Sequence, residues 1–143
     1  MCRLILFLIL LLGVIPLQAQ TSAAPTGGSV CVVAKEQGNS LAIEWVVGEQ
    51  SISQAITSAK STLNAQGFAH VFPQAKSAIP HGWIVVVKTA YKTVTGRVRT
   101  SYGCGFSQES AHAAEQLAVS DLRAYSWGWK PEYGYAKVEV KRY

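Results

Sequence analysis

Charged residues are few in this chain. Asp, Glu, Lys and Arg together make up 15% of it, where ordinary soluble domains carry about 25%. The 13 basic and 8 acidic residues leave a formal charge of +5, and no stretch gathers the basic ones into a stripe. A solvated surface accounts for such a mild excess, and a nucleic-acid-binding face is excluded. Histidine is equally thin. His70, His81 and His112 stand far apart, with no pair at i, i+4 and no carboxylate at a matching spacing, so no metal centre is expected. Glu109 and Glu115 read as the solvent face of one helix, and Glu36, Glu44, Glu132 and Glu139 fall on separate elements. That leaves no acid/base pair of carboxylates. Gly103-Cys104-Gly105 precedes a helical stretch but lacks the glycine and lysine of a phosphate loop. No cofactor is implied.

Long apolar runs are also missing, apart from one at the start. Arg3 is followed by an almost unbroken apolar stretch over residues 4–12, then Pro16 and Leu17-Gln18-Ala19. A membrane span needs roughly 20 apolar residues. The run is shorter, and it ends in a small-residue cleavage region, which is the layout of a secretory signal peptide over residues 1–19. Cys2 lies before the apolar stretch, so lipid attachment is not expected. Residues 20–29 are rich in Ala, Thr, Gly and Ser without periodicity and read as a disordered tether. The expectation is a periplasmic or secreted protein, with no stable membrane insertion once the leader is removed.

Without Cys2, two of the three cysteines remain, Cys31 and Cys104. In an oxidising compartment their default is one disulfide, with two buried free thiols as the alternative. A reactive Cys104 is a further candidate, because it sits before a helix whose dipole would lower a thiol pKa. The only later histidine, His112, lies on that same helix and points elsewhere, so a cysteine nucleophile is set aside.

Residues 30–143 read as a single domain of two strand-strand-helix-strand units, 30–73 and 81–143. Val30, Val32 and Ala34 alternate in a first strand; Leu41, Ile43, Trp45 and Val47 alternate in a second. Ser51 is a plausible N-cap for a helix ending near Gln66, with Gly67 as its stop. Phe68, His70 and Phe72 suggest a short strand cut off by Pro73, and residues 74–80 a linker. The second unit repeats the order: Trp83, Val85, Val87, Thr89 and Tyr91; a turn; then Val98, Thr100 and Tyr102. Gly103–Gly105 reads as a corner. Ser107 caps a helix whose apolar face is Ala111, Ala114, Leu117, Ala118 and Leu122, and Ala136, Val138 and Val140 form an edge-compatible last strand. Neither unit alone can bury a core. The fold class is therefore α+β, two tandem ββαβ units, pictured as an antiparallel sheet with both helices packed on one face.

The run Gly82-Trp83-Ile84-Val85-Val86-Val87, then Tyr102-Gly103-Cys104-Gly105-Phe106-Ser107, then the alanines of residues 111–118, looks like a family of small exported bacterial proteins of unknown function. Those proteins repeat a hairpin ending in Tyr-Gly or Trp-Gly, a Ser-capped alanine-rich helix and a closing strand. The resemblance covers residues 82–140 better than 30–72. This chain lacks the cysteines that the family commonly carries near the helix end. The resemblance implies export and fold, and supplies no catalytic residues.

One stretch remains as a candidate site. Trp127, Trp129, Tyr133 and Tyr135 are interleaved with glycine, and Lys130 stands among them. Such a loop could be a contact patch for a protein partner or a stacking platform for sugar rings. Alternatively, Trp127 and Trp129 fold back to cap the core. The expected function is non-enzymatic binding, of an inhibitor or immunity type, to a protein in the periplasm or extracellular space, with cell-wall glycan as the second possibility.

Overall fold

The structure is a computed structural model that describes residues 27–143. The expected leader over residues 1–19, and residues 20–26 of the expected tether, lie outside the described residues. The elements run β1 (Gly28–Glu36), β2 (Asn39–Glu49), α1 (Ile52–Ala65), β3 (Val71–Ser77), β4 (Trp83–Lys92), β5 (Val98–Ser107), α2 (Ala111–Tyr125), a short 3-10 turn (Pro131–Tyr133) and β6 (Ala136–Arg142). This is an α+β fold of two ββαβ units. All four strand pairings are antiparallel. In each unit the first strand is central and the other two flank it.

The strands divide between two three-stranded sheets, β2-β1-β3 and β5-β4-β6, where one sheet carrying both helices on one face was expected. The reason is visible in the central strands. Val30 to Ala34 and Ile84 to Val87 are buried without a break, so neither strand has a face to give to solvent. Val30 and Val32 pack under Ala55, Ala59 and Leu63 of α1. Val85 and Val87 pack under Ala114, Ala118 and Leu122 of α2. The opposite faces meet each other: Cys31 joins Ile84, Val86, Cys104 and Phe106 in a third cluster, with Ile43, Trp45 and Val47 at its margin. The layers are therefore α1, first sheet, second sheet, α2. Cys31 and Cys104 are bonded across the middle, Cα to Cα 6.4 Å, and tie β1 to β5.

Four local readings change. Gly103-Cys104-Gly105 is no corner; it lies inside β5, which continues to Ser107. A Cβ on Gly103 would collide with the Ala118 carbonyl oxygen, and one on Gly105 with that of Ala114. The two glycines occupy alternate positions on one strand face and let α2 settle onto its backbone. The cap of α2 is accordingly Ser110, whose hydroxyl accepts from the Ala113 N–H at 3.0 Å. Ser107 instead accepts from the Glu109 N–H at 3.1 Å, ahead of the helix. Leu117, expected on the apolar face of α2, is 51% exposed; the contact is made by Ala114, Ala118 and Leu122, one turn apart. Finally, Pro73 does not end β3. That strand runs from Val71 to Ser77 through a register shift beside Pro73, so residues 74–77 belong to it and not to a linker. An edge strand tolerates proline because its outward N–H needs no partner. α1 matches its expectation: the Ser51 hydroxyl accepts from the Gln54 N–H at 3.2 Å.

Candidate functional site: the aromatic loop after α2

The connection from α2 to β6 doubles back on itself. Gly128 turns the chain with φ of 94°, a left-handed conformation that a residue with a Cβ resists. The Trp129 N–H then donates to the Ser126 carbonyl at 2.9 Å. Two tryptophans separated by one residue are thereby sent opposite ways. Trp129 enters the core beneath α2, 7% exposed, among Val85, Val87, Tyr91 and Leu122. Trp127 is 85% exposed.

The backbone carrying Trp127 is braced from below. The Tyr91 hydroxyl donates to the Trp127 carbonyl at 3.1 Å. The Gly134 carbonyl accepts twice, from Thr89 Oγ1 at 2.8 Å and from Trp129 Nε1 at 3.2 Å. Between these anchors the 3-10 turn closes through Tyr133 N–H to the Lys130 carbonyl and Gly134 N–H to the Pro131 carbonyl, each at 3.0 Å. The Tyr133 ring lies within 13° of parallel to Tyr91, centroids 6.2 Å apart. An exposed tryptophan on a pinned main chain loses little further backbone freedom when it is engaged, which favours binding.

The five residues singled out in the sequence thus separate. Trp127, Lys130 and Tyr133 are exposed on the loop, and Trp127 and Tyr133 share Tyr91 as their support. Trp129 belongs to the core and cannot touch a partner. Tyr135 is partly exposed but engaged elsewhere: its hydroxyl donates to Glu115 Oε1 at 3.0 Å, and Lys137 Nζ lies 3.2 Å from Glu115 Oε2. Partial burial pushes the Glu115 carboxyl up, but the Tyr135 hydroxyl and the Lys137 ammonium outweigh it and hold the group below its ordinary value. The same hydrogen bond holds the Tyr135 hydroxyl above its own.

A polar constellation that the sequence did not announce lies on the second sheet. The outward edge of β5 is closed by side chains from three other elements. Asn39 Oδ1 accepts from the Thr100 N–H at 2.7 Å. Gln74 Nε2 donates to the Tyr102 carbonyl at 2.7 Å and to Asp121 Oδ2 at 2.8 Å. Asp121 Oδ2 also accepts from the Cys104 N–H at 2.9 Å. Burial pushes the Asp121 carboxyl up despite these donors and pushes the nearby Lys35 ammonium down. Lys35 Nζ sits 4.9 Å from the centre of the Tyr125 ring. The arrangement covers a strand edge, and at its margin Asn39 and Lys35 each line a small surface cleft. Its members come from residues 35, 39, 74 and 121, too far apart for any spacing to signal them; the one hint was an aspartate just before the apolar Leu122.

Cys104 is in the disulfide and has no free thiol. Among the described residues, no group of three or more His, Cys, Asp or Glu side chains could hold a metal ion, and no helix is long and apolar enough to cross a membrane. No family model, no curated protein and no solved structure matches the chain.

Proposed function

We propose that this is a small exported binding protein without catalytic activity, acting on another protein of the periplasm or extracellular space in the manner of an inhibitor or immunity factor. The observation that carries the reading is Trp127, 85% exposed on a main chain that Tyr91 pins. Large exposed aromatics on rigid supports are the side chains that most often dominate a protein contact. The disulfide between the sheets suits an oxidising compartment. Replacement of Trp127 by alanine is expected to weaken partner binding by about 2 kcal/mol or more, with an unchanged melting temperature. Full affinity in the Trp127→Ala protein would remove the loop as the contact surface.

A glycan-binding module is the second reading, and the near-parallel stack of Tyr133 on Tyr91 favours it, since a half-exposed supported ring is a platform for a sugar. Titration with isolated cell-wall glycan fragments, followed by tryptophan fluorescence, separates the two. Saturable quenching that Tyr133→Ala abolishes would favour the glycan.

A further inference from the structure

The loop shares its end of the molecule with two hairpin turns and the last turn of α2, and these bring cations to it. Tyr91, which supports Tyr133 and Trp127, is paired directly with Arg99 in the β4–β5 ladder. Arg97 and Arg99 line a small cleft between the β4–β5 turn and the β1–β2 turn. Lys35 reaches from β1 to the exposed ring of Tyr125. Lys130 is exposed on the loop itself. The acidic groups in the same neighbourhood are Glu36 in the cleft, Glu132 in the 3-10 turn, and Asp121, whose charge is felt by Lys35. Among the described residues the one ion pair is Lys137 with Glu115, so none of these four cations has a described carboxylate within ion-pair distance.

Unpaired cations around exposed aromatics have a consequence for what can dock. Removing them from water costs free energy unless the partner supplies opposite charge. A neutral or basic surface would leave them stranded; an acidic one pairs them and is drawn in at long range. Trp127 further narrows the kind of partner. At 85% exposure it projects from the surface instead of lying on it, and a projecting ring fits a pocket, as in protein contacts, better than it serves as a flat bed for a sugar. We propose that this end of the molecule docks an acidic protein segment, with Trp127 entering an apolar pocket and carboxylates around that pocket meeting Arg97, Arg99 and Lys130. The proposal rests on the loop being a protein-contact surface and adds the chemistry of the partner.

The test is selection of a random peptide library, displayed on phage, against the immobilised protein, with counter-selection on its Trp127→Ala variant. Peptides that depend on Trp127 and are enriched in Asp and Glu beside an apolar residue are the expected result. Their affinity should fall about tenfold or more in an Arg97→Glu, Lys130→Glu double variant, and should weaken similarly as salt is raised from about 0.05 to 0.5 M. Both reversed residues are exposed, and a melt checks that the variant folds; the salt series on the parent protein decides the matter even if it does not. Trp127-dependent peptides with no acidic enrichment and no response to charge reversal or salt would overturn the acidic partner and leave the loop as a contact surface. No Trp127-dependent peptide at all would overturn both. Oligouronate fragments that bind more tightly than every selected peptide would assign the surface to an anionic glycan and overturn the proposal.

Discussion

The two ββαβ units share one strand order and differ in the connection that leaves the helix. In the first unit, residues 66–70 carry the chain from α1 to β3, and Phe68 closes the bottom of the helix–sheet core, half-buried. In the second, residues 126–135 make the same connection in twice the length. Trp129 takes the place of Phe68, and the additional residues hold Trp127, Lys130 and Tyr133 outside. The helices differ too. The sheet face under α1 presents Ala42 and Val46 from its second strand, whereas that under α2 presents Gly103 and Gly105. The repeated topology builds the frame twice, and the one lengthened connection is where a surface has been added.

The sharpest way to break that contrast is Trp129→Ala beside Phe68→Ala. Trp129 is 7% exposed, and its loss should destabilise the fold by about 3–5 kcal/mol, with a smaller loss for half-buried Phe68; equal shifts in thermal denaturation would deny the second loop its anchoring role. Severing the units from each other comes next. A Cys31→Ala, Cys104→Ala protein should lose about 4 kcal/mol in the chain-entropy account of a loop this long. Denaturant titration of the variant against the oxidised parent measures it, and a negligible change would mean that the cross-link does not restrict the unfolded chain and that the sheet–sheet contact holds the units together without it.

Smaller effects come from the helix seats. Gly105→Ala forces α2 away from β5 and should cost about 1–3 kcal/mol, while Ala42→Gly under α1 should cost about 0.5–1 kcal/mol, from backbone entropy. A calorimetric pair in which the second exceeds the first would reverse the assignment of the close approach. The smallest effect is one of pH. Burial raises the folded-state pKa of Asp121 above its unfolded value of about 3.9, so its stability contribution is present when the group is protonated in both states and declines as pH rises from the unfolded value through the folded one. Asp121→Asn should remove that downward slope from the stability profile just above pH 4. A steeper slope in the variant would show that the donors from Gln74 and Cys104, and not burial, govern the carboxyl.

Much of this architecture could be read in the chain. The order of elements followed from period: Leu41 to Val47 alternates, and Ala55, Ala59 and Leu63 repeat at one helical turn. The disulfide followed from there being two cysteines behind the stretch read as an export leader. The division into two sheets was also written in Val30–Ala34 and Ile84–Val87, whose continuous apolar character asks for cover on both faces, but alternation in their neighbours pointed to one. Gly-Cys-Gly misled because glycine marks turns more often than it clears space for a helix. At the candidate site the limit was sharper. Trp127 and Trp129 flank the same glycine, and the reversal at Gly128 decides which is buried. Asp121, Gln74 and Asn39 could not be foreseen together, because a strand edge is closed by whatever tertiary packing brings to it.

That closed edge sets an order of events. Asn39 and Gln74 lie N-terminal to β5, and Asp121 comes after it on α2. A chain made or delivered from its N-terminus therefore has two of the three groups in place before β5 exists to receive them. The interval in which β5 offers open N–H and C=O groups to another copy ends when α2 forms. A circular permutant beginning at Gly82 would reverse the schedule, presenting β5 before its partners from the first unit, and would be the form of this protein most prone to assemble edge to edge.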